Sequence, residues 1–189
     1  MAKFTKKAIM MCFIQLLEEK QIDKITVKDI CENCEINRNT FYYYYCDIYA
    51  VLTEVFECEK EKVLKEMDET STFYDEYRKC ASVILNNKKA IIHIFKSKSC
   101  YVLSEYLETV TMNFVERFVR KRSEKEKLSE RDIDYITKFY SYSIIGHTMK
   151  WIDEGLCEYD QDLLKKIANT FDNTIDAMIQ SCKNENQTY

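Results

Sequence analysis

Residues 26–52 read TVKDICENCEINRNTFYYYYCDIYAVL. Thr26 with Asp29 three residues on is the spacing of a capping box, in which a hydroxyl and a carboxylate satisfy free N–H groups at a helix start. Val27, Ile30, Cys31 and Cys34 then recur at i, i+3, i+4 and i+7, one apolar face about two turns long. Glu35-Ile36-Asn37 interrupts that period, and Asn37 has the side chain to cap a second short helix. In that helix Phe41 and Tyr45 share a face, which leaves Arg38, Asn39, Thr40, Tyr42 and Tyr43 outward. Solubility does not call for such a set. Hydrogen-bonding side chains on one short exposed helix are what a helix laid in the major groove of DNA requires.

Composition sets the frame around this stretch. The chain has 189 residues, 46% hydrophobic and 32% charged, with two glycines and no proline. Sheet folds turn often and turn on Gly and Pro, so an all-α fold is predicted. Gly146 and Gly155 stand apart, which excludes the clustered glycines of nucleotide-cradling loops. With two histidines and no supported acid–base pair there is little to build a catalytic site from, and neither an enzyme, a cofactor nor a metal site is expected. No long apolar run or signal-peptide core is present, which predicts a cytoplasmic protein without a membrane role. The nine cysteines then read as reduced thiols. Cys31-Glu-Asn-Cys34 lacks the second ligand pair of a zinc site and reads as small apolar residues of a helix face. The net charge is −4, and residues 1–50 hold seven basic and seven acidic side chains. Affinity for DNA must therefore come from placed groups (Lys3, Lys6, Lys7, Arg38) and from two reading heads acting together.

Periodicity divides the rest into helices, about nine in all. Ile9, Cys12, Phe13, Leu16 and Leu17 predict a helix from a cap at Thr5 to Lys20, completing a three-helix head over residues 1–47. Asp47 caps a fourth helix running to about Met67, with no linker between head and body. Residues 48–189 form the helical body. Its helices are predicted over Phe73–Asn86, over Lys88–Lys96 with Asn87 as cap, and over Tyr101–Arg122. The charged run Arg120–Arg131 reads as a solvated helix end and loop. Glu130–Asp153 is apolar on two faces, Ile133, Ile136, Tyr140, Ile144 and Trp151 on one and Tyr135, Phe139, Tyr142, Met149 and Ile152 on the other, so both need cover. Gly146 within it points to close approach of another helix, and Gly155 to a helix stop. Asp160–Cys182 is the last helix, with a frayed tail over Lys183–Tyr189. The last two helices, paired with those of a second copy, would make a four-helix bundle with Ile144, Gly146, Phe171, Thr174 and Met178 at the interface. His93, Tyr106, Phe114, Tyr140, His147 and Trp151 are candidates for an effector pocket, their alternative being ordinary core and satisfied histidines.

Residues 5–52 resemble the tetracycline-repressor (TetR) family of bacterial regulators. The likeness is carried by TVKDICENCEINRNTFYYYY, by the order Val27, Ile30, Ile36, Thr40, Phe41, Tyr42 and Tyr45, and by Leu52 after a short turn. INRNTFYYYYCDIYAVL is closer still to the subgroup of dihydroxyacetone-kinase regulators, and GHTMKWIDEG resembles a segment near that subgroup's dimer helices. The resemblance implies a homodimer that reads a palindromic operator in double-stranded DNA, as a repressor controlled by a small effector in the C-terminal domain or, alternatively, by a partner protein. It places Arg38, Asn39 and Tyr43 toward bases, Thr40, Tyr42 and Tyr44 at phosphates or groove walls, and Thr26 and Lys28 near the backbone. Many members carry a phosphate-binding Lys just after the recognition helix, where this chain has Cys46, Asp47 and Ile48. Lys6 and Lys7 are the candidates to replace it.

Overall fold

The computed structural model describes residues 2–67, 70–126, 128–157 and 161–186, and these form nine α-helices with no strand. They are α1 (Ala2–Glu19), α2 (Val27–Asn33), α3 (Arg38–Tyr44), α4 (Ile48–Lys65), α5 (Phe73–Asn86), α6 (Lys88–Phe95), α7 (Cys100–Ser123), α8 (Glu130–Asp153) and α9 (Gln161–Asn186). The all-helical architecture is the predicted one.

Several boundaries follow from side chains. Thr26 Oγ1 accepts from Asp29 N at 3.1 Å and Asp29 Oδ2 accepts from Thr26 N at 2.8 Å, a complete capping box at α2. Thr72 and Asp75 repeat it at α5, and Ser129 accepts from Asp132 N at 3.2 Å to start α8. Asn37 Oδ1 accepts from Thr40 N, and Asp47 Oδ1 from Ala50 N, both at 2.8 Å. Two expected caps are absent. Helix α1 begins at Ala2, so Thr5 lies inside it; Asn87 sits at φ −115°, ψ 26° rather than in the extended conformation that aims a cap side chain at the helix, and makes no capping bond. Helix α9 continues through Lys183 to Asn186, held where Lys183 Nζ meets Glu126 at 2.6 Å. The expected start at Asp160 and the tail end 187–189 lie outside the described residues.

The chain divides into two compact units, Met1–Lys62 with Ile84–Tyr106, and Val63–Val83 with Leu107–Tyr189. In the first, Ile9, Phe13, Leu17, Ile22, Ile30, Phe41 and Leu52 make the core of the three-helix head. A head this small has little core of its own, and α6 supplies more by packing on α1 with Ala90, Ile91 and Ile94 buried. His93 Nδ1 sits 2.6 Å from the Leu17 carbonyl and ties the two together.

The second unit is built on an aromatic cluster. Phe73 stacks on Phe171 at 3.9 Å and 14°, with Phe114, Phe118 and Tyr140 at its edges. Ile133, Ile136, Ile144 and Ile152 of α8 and Leu164, Ile175 and Ile179 of α9 are buried too. Ile152 thus belongs to the covered face of α8, whereas Tyr135, Phe139 and Tyr142 are 55%, 56% and 53% exposed. That side of α8 is left uncovered by the described residues. Gly146 lies on that open side, and a Cβ there would meet nothing within 4 Å. The close helix expected against it is not among the described residues. The charged run at the end of α7 is a solvated helix end and turn, as expected, laced by ion pairs: Arg120 holds Glu116 and both oxygens of Glu130, and Arg122 bridges to Asp172 at 2.7 Å.

Candidate nucleic-acid interface

The presentation of α3 starts with the turn before it. Cys34 N bonds back to the Ile30 carbonyl and Ile36 N to the Cys31 carbonyl, with Glu35 between them at φ 53°. This left-handed residue reverses the chain so that α3 leaves at an angle to α2. Phe41, fully buried, and Tyr45, 4% exposed, then anchor α3 in the head. With that face inside, helical geometry puts Arg38 and Asn39 in solvent and leaves Tyr42 and Tyr43 54% and 80% exposed. Tyr44 is half-buried, edge-on to Tyr43 at 4.9 Å. Thr40 is half-buried, and its hydroxyl donates to Asn37 Oδ1 at 3.0 Å, so its lone pairs stay available.

The cations around this helix differ in freedom. Arg38 has no ion pair among the described residues. Lys28 lies 3.6 Å from Glu32 on an exposed face, and Thr26 is exposed while serving as a cap. Lys6 is drawn inward: its ammonium is 2.6 Å from Glu54 and 5.5 Å from the centre of the Tyr45 ring. Reaching a phosphate means leaving Glu54. Lys20 bridges to Asp29 at 2.9 Å and braces the start of α2 against the end of α1. That bond, followed by the Thr26 N–H, holds the Asp29 carboxyl below its ordinary range. The cysteines of α2 face inward: burial pushes the Cys34 thiol up to about 12, with Cys12 beside it, and burial raises Cys31 as well. Such thiols are poor nucleophiles. Among the described residues no three His, Cys, Asp or Glu side chains are grouped to hold a metal ion.

The other singled-out residues are spread over both units. His93 and Tyr106 belong to the first, where His93 holds Leu17 and Tyr106 packs 4.8 Å from Phe56. In the second, Phe114 is sealed in the aromatic cluster and Trp151 donates to the Cys157 carbonyl at 3.2 Å. Tyr140 and His147 come together in one cleft with Ser143, Lys166 and Phe171. Of the residues offered for an interface, Ile144 and Phe171 are buried in this chain's own core, Gly146 and Thr174 are exposed, and Met178 is half-buried. The exposed aromatics Tyr135, Phe139 and Tyr142 were visible in sequence only as a second apolar face.

Residues 71–173, more than half of the chain, match the family model of the TetR transcriptional regulator C-terminal region. The chain belongs to the TetR family. The uncharacterized HTH-type transcriptional regulator YxbF of Bacillus subtilis (strain 168) is 24% identical over 165 residues, 82% of this chain; the chain spans 41% of that relative's length. Among solved structures, the dihydroxyacetone kinase operon activator DhaS superposes with a TM-score of 0.74 at 19% identity, covering 92% of this chain and 97% of DhaS. Salmonella enterica GusR gives 0.64 at 13% identity, with 93% and 95% covered. These likenesses are of fold. The chain thus carries the C-terminal region of a TetR-type transcriptional regulator, and no helix among the described residues is long and apolar enough to cross a membrane.

Proposed function

We propose that this regulator reads a palindromic operator as a cytoplasmic homodimer, with residues 1–47 as the reading head and the helical remainder as effector-binding and dimerisation domain. The observation that carries the reading is the exposure of Arg38, Asn39, Tyr42 and Tyr43 on a capped helix whose opposite face is anchored by Phe41 and Tyr45. In the major groove Arg38, Asn39 and Tyr43 meet base edges, and Tyr42, Tyr44, Thr40, Thr26 and Lys28 meet phosphates and sugars. Dimerisation uses the open side of α8. Tyr135, Phe139, Tyr142 and Gly146 follow a 4-3-4 spacing there, the seam of a left-handed helix pair, and Thr174 and Met178 of α9 extend it. Ile144 and Phe171 stand behind that surface and support it. An effector in the body alters the spacing of the two heads and so releases the operator.

The test is binding to labelled DNA flanking the encoding gene. The Arg38→Ala/Tyr42→Ala double variant is expected to stay dimeric and lose specific binding; retained operator affinity would sink the assignment. In a reconstituted transcription assay the protein is expected to lower output from the flanking promoter. A rise would make it an activator, as DhaS is by name.

A further inference from the structure

We propose that the cleft between α8 and α9 binds a small organic carboxylate. The inference rests on the effector reading above and gives it a place and a chemistry. The cleft measures about 180 Å³, and about 150 Å³ suffices for a benzene ring. Its floor is apolar and stiff: Phe73 and Phe171 are stacked, Ile144 is buried beside them, and the Tyr140 hydroxyl is already engaged with Thr174 Oγ1 at 2.8 Å. The polar groups stand at the rim. Ser143 and His147 come from α8 and Lys166 from α9.

What selects an anion is the state of those rim groups. Lys138 of α8 holds Asp134, and Lys150 holds Asp153 and Glu154. Among the described residues the Lys166 ammonium and the His147 ring have no such partner, and none that lines the cleft is a carboxylate. A carboxylate with a compact apolar body satisfies both halves of this site, accepting from Lys166 and Ser143 while its body covers the aromatic floor. An amine would be repelled by Lys166. An inorganic anion would leave the floor unfilled.

The experiment is calorimetric titration of the full chain with benzoate, benzamide and benzylamine in parallel. Benzoate is expected to bind at least about tenfold more tightly than the other two, the factor that one charge-assisted hydrogen bond supplies. Lys166→Gln, an exposed change that spares the core, should erase that preference. Ile167→Trp, which fills the cleft from a half-buried position, should abolish binding with helicity and dimerisation kept. Equal binding of the three compounds overturns the proposal, as does benzoate binding that survives both substitutions. So does a dimer that takes up no benzoate and dissociates on Ile167→Trp, because the second copy then fills the cleft. Operator binding by the same preparation without benzoate tests the DNA-reading assignment separately: either result can fail while the other stands.

Discussion

Tyr42 and Asn39 are three residues apart on α3, yet in the proposed DNA reading they carry different kinds of information. Tyr42 offers a phenolic O–H from a ring packed edge-on against the anchored Phe41 at 5.5 Å, a rigid way to reach a phosphate. Asn39 offers an amide that can both donate and accept, the pattern that reads adenine. Fluorescence anisotropy on operator and scrambled duplexes is therefore expected to separate them. Tyr42→Phe should weaken both similarly, whereas Asn39→Ala should narrow the gap between them by about 1–3 kcal/mol. A sequence-selective defect in Tyr42→Phe would reverse the assignment. Lys6 shows where single-residue reasoning stops. Its sequence neighbours suggest a free basic N-terminal approach, but its partner Glu54 lies on another helix, and nothing local to Lys6 signals that pair.

At the scale of elements, the turn into α3 holds a strained residue. Glu35 adopts φ 53° where glycine is the usual choice. Glu35→Gly relieves a left-handed side-chain conformation costing on the order of 1 kcal/mol. Urea unfolding should show a higher midpoint with an unchanged slope. The capping boxes bring a pH dependence. The Asp29 carboxyl is held down by Lys20 and by the Thr26 N–H, and the Asp75 carboxyl by Thr72. A carboxyl whose folded pKa lies below its unfolded value of about 4 stabilises the fold above that pH. The contribution is lost as pH falls through the folded value. Wild type should therefore exceed Asp29→Asn in stability at pH 7, and the gap should close in acid; a gap that persists under strongly acidic conditions would refute the linkage. Much of this was legible in sequence because both partners of a cap lie within one turn: Thr26 with Asp29, Asn37 with Thr40, Asp47 with Ala50. Asn87 failed because capping also needs an extended backbone, which composition does not report. The docking of α6 on α1 was not legible either, since the near-continuous apolar run 90–95 says that it is buried but not by what.

For the whole molecule, the open side of α8 is the feature with the widest reach. Phe139 and Tyr142 are more than half exposed, so replacing both by Glu removes nothing from the monomer's core. Phe139→Glu/Tyr142→Glu is expected to keep helicity and thermal cooperativity while light scattering after gel filtration reports a monomer. Operator affinity should fall with it, through loss of the second head. A double variant that stays dimeric would move the interface elsewhere. The manner in which the helices begin has a consequence in time as well as in energy. Where many proteins mark a boundary with proline, this chain, which has none, uses Thr26, Asn37, Asp47, Thr72 and Ser129. Side-chain caps form as fast as the turns they close, whereas prolyl isomerisation takes roughly 10–100 s at 25 °C. Refolding after a jump out of denaturant should therefore show no phase accelerated by a prolyl isomerase. In the proposed homodimer the slowest step should quicken as protein concentration rises, because two chains must then find each other.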